Sequence, residues 1–328
     1  MRQLMIVLLA IPGFSCDPGA LLVDKGIDPL ITIETHNLLP LAPGEGHYEA
    51  WISFSDAFLP KRTSVQHEES SFVSLGRFNI DASGNLTDLA GAPYIPHFAK
   101  ERNIQYMQDA IITIELDGDS DVVHGPAIVG GIISGDVRIG VADLTPWYDD
   151  ALGGDAREAQ GSFLIASPTS ADSADSASGI WFLQSLAPQS AGFRELPALA
   201  EGWQYEGWVR SCCVGPPSSQ GYINYTTGRF SNATGYDADS AGGRRGPVGN
   251  GYPYPGQDYC GVKRLALRSG MFDVMVTIEP NPDNSSAPFA QLLLFGPTPI
   301  SSTVPLGQPQ SMWNASDAFP FAKIKIVK

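Results

Sequence analysis

The segment His-Tyr-Glu-Ala-Trp-Ile at 47–52 returns at 204–209 as Gln-Tyr-Glu-Gly-Trp-Val, so that Tyr48, Glu49 and Trp51 recur as Tyr205, Glu206 and Trp208. The match continues in order along the chain. Residues 30–52 pair with 180–209, Gly76-Arg77-Phe78 with Gly228-Arg229-Phe230, and Thr113-Ile114-Glu115 with Thr277-Ile278-Glu279. Residues 124–131 then meet 287–296, Trp147 meets Trp313, and GSFLIAS (161–167) meets FAKIKIV (321–327). A repeat of this extent restricts the fold to one that the same supersecondary unit can build twice. The chain therefore reads as tandem copies of one domain, 27–168 and 179–328. The Ser/Ala/Asp tract at 169–178 between them has little apolar surface and is expected to be a flexible linker.

Within each copy the runs ITIE, HYEAWISF, IITIEL, VMVTIEP, QLLLFG and AKIKIVK are short, β-branched or aromatic, and separated by Gly, Pro, Asn and Asp. With 35 Gly, 26 Pro and only 17% charged residues, the composition suits turns better than salt-bridged helices. The fold class is all-β: two tandem antiparallel β-sandwich, immunoglobulin-like domains. Residues 100–110, KERNIQYMQDA, are the best candidate for a short helix. Alternation along HYEAWISF puts Tyr48, Ala50, Ile52 and Phe54 on a core face and Glu49, Trp51 and Ser53 on the other.

A net charge of −15 leaves no basic surface to neutralise phosphates and disfavours nucleic acid as a partner. The N-terminus has one Arg, an apolar run from Leu4 to Ile11, then small residues and a cysteine, the order of an export signal. Gly13-Phe14-Ser15-Cys16 resembles a bacterial lipobox, which makes residues 1–15 a cleaved signal and Cys16 a lipid anchor. The expected location is the cell envelope, periplasmic or surface-exposed, with secretion as the alternative. Contact with the membrane is expected through the anchor alone. Export favours oxidation, so Cys260 is expected to pair with Cys212 or Cys213.

Tyr-x-x-Trp, Gly-x-Phe before an Asp/Gly turn, and Val/Ile-Thr-Ile-Glu before a loop and a strand ending in Gly together resemble the extracytoplasmic C-terminal domain of the anti-sigma-K factor family. The matching residues are Tyr48, Trp51, Gly76, Phe78, Asp81 and 113–131 in the first copy, with Tyr205, Trp208, Gly228, Phe230 and 276–296 in the second. The resemblance implies a sandwich fold and an extracytoplasmic sensing or protein-contact role. The family's membrane helix and sigma-binding segment have no counterpart in these residues.

No nucleophile elbow or zinc-binding spacing occurs among the five His residues or the four Cys, and neither catalysis nor a cofactor is expected. Glu49 with Trp51, and Glu206 with Trp208, are candidates for a carbohydrate or peptide platform. The competing reading makes Glu the partner of Arg77 or Arg229 and Trp a cover for the sheet. Asp117, Asp119 and Asp121 have a weak Ca²⁺-like spacing. The Gly-rich loop 235–259, with Arg244, Arg245, Tyr252 and Tyr254, has the composition of a partner-recognition loop. The chain thus reads as a non-catalytic binding or sensing protein for an envelope protein or glycan, with a structural or adhesive surface protein as the alternative.

Overall fold

The computed structural model describes residues 29–41, 44–55, 72–98, 106–118, 123–170, 172–214, 221–238, 253–260, 264–283, 285–297 and 299–328. In the first half the strands are β1 (Leu30–His36), β2 (His47–Phe54), β3 (Phe72–Ile80), β4 (Leu86–Thr87), β5 (Met107–Glu115), β6 (Ala127–Ile132), β7 (Ser134–Gly135), β8 (Ile139–Leu144) and β9 (Gly161–Ile165). The second half carries β10 (Ile180–Trp181), β11 (Leu183–Leu186), β12 (Gln189–Ala191), β13 (Trp203–Val214), β14 (Gly221–Phe230), β15 (Gly256–Gln257), β16 (Phe272–Pro280), β17 (Gln291–Phe295), β18 (Gln310–Asn314) and β19 (Phe321–Val327). Short 3-10 turns are the only helical segments among the described residues, and every strand pairing is antiparallel. The chain is all-β. No helix of the described residues is long and apolar enough to cross a membrane.

One sheet runs β4-β3-β2-β5-β6 and a second β1-β19-β8-β7; an isolated bridge between Gly130 and Thr145 ties β6 to the segment following β8. An eight-stranded sheet runs β14-β13-β16-β17-β18-β9-β10-β15, with β11 and β12 as a separate hairpin. The two Tyr-Glu-x-Trp strands occupy the same place in their sheets, with the same register. Tyr48 lies opposite Phe78, Glu49 opposite Arg77 and Ala50 opposite Gly76, after which a bulge sets Trp51 opposite Ser74. Tyr205, Glu206 and Gly207 face Phe230, Arg229 and Gly228, and the same bulge sets Trp208 opposite Thr226. Gly76 and Gly228 sit at the bulges with φ of 110° and 107°, and a Cβ on Gly228 would stand 2.5 Å from the Asp237 carboxyl carbon. Only glycine meets both demands there.

The alternation read from HYEAWISF is realised. Tyr48, Ala50, Ile52 and Phe54 join the main core, while Trp51 packs on the other face with Ile111, Ala127 and Ala151, beneath Tyr148. Tyr48 and Tyr205 each donate their hydroxyl to a carbonyl of the preceding connection, Leu39 at 2.9 Å and Pro197 at 2.7 Å. These bonds pin the entry of each strand.

The closing strands do not stay with their own copies. β19, at the C-terminus, lies between β1 and β8 of the first half, whereas β9, which ends the first copy, lies between β18 and β10 of the second. The exchange follows from the outer faces of the two strands. On β9, Leu164 belongs to a buried outer cluster with Ala166, Trp181 and Leu183, backed by Tyr254, so both faces of that strand are covered. β19 alternates instead: Ala322, Ile324 and Ile326 are buried and Lys323 and Lys325 reach solvent. Lys323 lies between Glu34 and Asp143 and pairs with Asp143 at 3.0 Å. Placed in the covered slot, the two lysines would lose their water, and the Asp258 carboxylate beside Trp181 is already taken by Trp181 and Thr169.

Two expectations differ from the structure. Met107–Ala110, the C-terminal part of the candidate helix, begins strand β5, because Met107, Ala110 and Ile112 are needed in the core; residues 100–105 lie outside the described residues. The Ser/Ala/Asp tract, expected as a flexible linker, is packed. Asp172 caps a 3-10 turn at Ser173–Asp175, and Asp175 is 1% exposed, accepting from Ser170 and Tyr259 and pairing with Arg264 at 2.6 Å. Asp258, fully buried, accepts from Trp181 Nε1 at 3.0 Å and from the backbone N–H of Thr169 at 3.0 Å. Ser and Asp therefore supply here, through hydrogen bonds, the order that apolar surface does not.

Candidate functional site

The residues singled out by the repeat assemble into two equivalent buried networks. In the first half, Trp51 Nε1 donates to Thr113 Oγ1 at 2.9 Å, and Thr113 donates in turn to Glu115. Glu115 also accepts the backbone N–H of Gly125 on both oxygens at 2.9 Å. Beside it, Glu49 accepts from Ser74 and from Arg77 Nε at 2.9 Å. In the second half Trp208, Thr277 and Glu279 repeat the first chain, closing on the N–H of Phe289, and Glu206 repeats the second with Thr226 and Arg229 Nε at 2.9 Å. Each Glu comes from the strand position directly across from, or two residues beyond, its Thr, so sheet register alone brings the groups together.

The second network contains one more acid. Asp283 reaches Arg229 Nη2 at 2.7 Å, and carboxylate oxygens of Glu206, Glu279 and Asp283 lie within 4.8 Å of one another. Such a donor set could hold a hard cation, but the Arg229 guanidinium already bridges two of the three carboxylates. Burial pushes Glu279 up to about 8 and raises Glu206 against the opposing hydrogen bonds from Thr226 and Arg229. The Arg229 guanidinium offsets one of the three carboxylate charges, and the raised Glu279 favours its neutral form, which reduces the remaining repulsion.

These networks overturn the reading of Glu49, Trp51, Glu206 and Trp208 as a binding platform. Their exposures are 4%, 4%, 0% and 2%, so no ligand can stack on either indole or reach either carboxylate. They are scaffold: two polar seams that fix three strands in register. Cys260 is fully buried and, among the described residues, a free thiol that burial pushes up to about 12; its expected pairing with Cys212 or Cys213 falls on side chains that are not described. The side chains of Cys212 and Cys213 lie outside the described residues, as do Cys16, Asp119, Asp121, Arg244, Arg245 and Tyr252. Asp117 is exposed in a turn, and Tyr254 is half-buried against the cluster of Leu164 and Trp181.

The open polar surface lies elsewhere. A cleft of about 250 Å³ is lined by Gln160, Ser162, Gln184, Arg194, Ser311 and Met312, with Gly161 and Gly192 between them. Ser162 is anchored by Gln184 Oε1 at 3.0 Å, whereas Gln160, Gln184, Arg194 and Ser311 are exposed. Sequence reading missed this surface because its residues come from three separated segments, 160–162, 184–194 and 311–312. The repeat contains no motif that links them. A smaller groove lies where Gly44, Glu45 and Leu116 of the first half meet Pro282, Asp283 and Phe289 of the second. Compared with protein-family models, curated proteins and solved structures, the chain finds no match.

Proposed function

We propose that the chain is an exported, lipid-anchored, non-catalytic binding or sensing protein of the cell envelope, related to the extracytoplasmic domains of anti-sigma-K factors. The observation that carries this reading is the fate of the shared polar residues. Glu49, Glu115, Glu206 and Glu279 are spent in the interior on strand-to-strand hydrogen bonds, an arrangement that serves a rigid scaffold rather than a reaction centre. The exchange of β9 and β19 also locks the two halves together, which suits presentation of a fixed surface better than an extensible stalk. Gly13-Phe14-Ser15-Cys16 supports the anchor.

The test is intact mass and detergent partitioning of the full chain expressed in a bacterium that processes lipoproteins, beside Cys16→Ala. The wild type should lose residues 1–15, gain acyl mass and enter the detergent phase, while the variant should do none of the three. Cleavage of both to soluble products would overturn the anchor and leave a secreted protein.

A further inference from the structure

We propose that the outer face of the second half is a glycan-binding platform, with Trp313 as the stacking surface and Arg194, Gln160 and Gln184 as the groups that hold sugar hydroxyls. This inference rests on the binding reading above and gives it a site and a ligand class.

The geometry comes from three neighbouring segments of one sheet. Gln160 and Arg194 exchange both backbone hydrogen bonds, at 2.9 and 3.0 Å, so their side chains stand side by side. Across the next boundary Ser311 lies opposite Ser162 and Met312 opposite Gly161. Continuing that register by one residue brings Trp313 beside Gln160, and strand alternation puts it on the face of Ser311. Arg194, Gln160 and Trp313 therefore form a row across the sheet, alongside the cleft that Ser162, Gln184 and Ser311 line. All three members of the row are exposed, Trp313 to 60%.

The repeat does not require this exposure. Trp147, the sequence counterpart of Trp313, is half-buried and stacks on Phe319 with ring centroids 5.4 Å apart. Trp313 has neither cover nor ring partner among the described residues. An indole lying open beside planar amides and a guanidinium offers two complementary surfaces: an apolar plane for the C–H face of a pyranose ring, and forked donors and acceptors for adjacent hydroxyls. The Arg194 guanidinium makes no ion pair among the described residues and remains available as a donor. No carboxylate lines the cleft, which argues against a cation, and its lining is too polar for a lipid. A long polysaccharide chain suits an open, shallow surface lined by uncharged amides, hydroxyls and one guanidinium.

The experiment is sedimentation of the full chain with three insoluble polymers, peptidoglycan sacculi, chitin and xylan, beside Trp313→Ala, Trp313→Phe and Arg194→Ala. The wild type should co-sediment with at least one polymer, Trp313→Ala should weaken that binding at least tenfold, Arg194→Ala should weaken it less, and Trp313→Phe should keep most of it. Equal binding by Trp313→Ala, or no binding by the wild type to any of the three, overturns the proposal. A photo-crosslinking amino acid at Ser311 in cells separates the two readings. Crosslinking to an envelope protein without polymer binding removes the glycan and leaves the binding module standing, whereas neither removes both.

Discussion

Trp208 donates its indole N–H to Thr277 Oγ1 at 2.8 Å, across adjacent strands and in the fully buried half of a network whose other half is the hydrogen bond that Thr277 donates to Glu279. The same threonine position in the first half, Thr113, performs the same two tasks for Trp51 and Glu115. Thr277→Val and Thr113→Val preserve shape but leave a buried indole donor and a buried carboxyl each short of a partner. Each should cost about 1–3 kcal/mol in urea unfolding. A neutral result in either half would show that the relay does not contribute to stability.

The elevated Glu279 gives a pH signature. Its folded value is pushed up to about 8, above that of an unfolded glutamate, so the folded chain binds more protons between roughly pH 4.5 and 8. Stability from this group is complete below that window and is lost as pH rises through it, with a slope of order 1 kcal/mol per pH unit at most. Glu279→Gln should flatten the wild-type decline between pH 5 and 8 when urea midpoints are compared. An unchanged slope would place the proton elsewhere in the cluster.

Arg229 and Arg77 occupy equivalent positions with different duties. Arg229 holds both Glu206 and Asp283 with a side chain 16% exposed, whereas Arg77 holds Glu49 with a side chain 30% exposed. Arg229→Ala strands two buried carboxylates and should cost about 3–5 kcal/mol, with Arg77→Ala costing clearly less. Thermal or chemical unfolding of the two variants reads the order directly, and equal losses would contradict it.

Exchange of the closing strands predicts where damage appears. Truncation after Pro320 removes β19 from between β1 and β8. Amides of Leu30–His36 and Ile139–Leu144 should lose hydrogen-exchange protection while those of β13 and β16 keep theirs. Loss centred on β17 and β18 instead would mean that β19 completes its own copy.

The buried Cys260 thiol, whose ionisation burial opposes, should resist alkylation in the native protein and react only after denaturation, as peptide mapping would read. Rapid native labelling would place it at the surface.

The duplicated order of Tyr48-Glu49-x-Trp51 and Tyr205-Glu206-x-Trp208, with Gly-Arg-Phe and Thr-Ile-Glu behind each, determined strand identity, facing and the register of the central three strands in both halves. Those features depend on two-residue alternation and on a bulge at Gly76 and Gly228, which are local and therefore written in sequence. Tertiary structure alone decided which copy each closing strand joins, because GSFLI and FAKIKIV are both acceptable strands. Only the surroundings, a covered slot beside Trp181 or a solvated one beside Glu34 and Asp143, distinguish them. It also decided that Glu and Trp of the repeat face inward while Trp313 remains open. Burial is a property of what packs against a residue, and the segments that cover Trp51, or bring Arg194 and Gln160 beside Trp313, are distant in the chain.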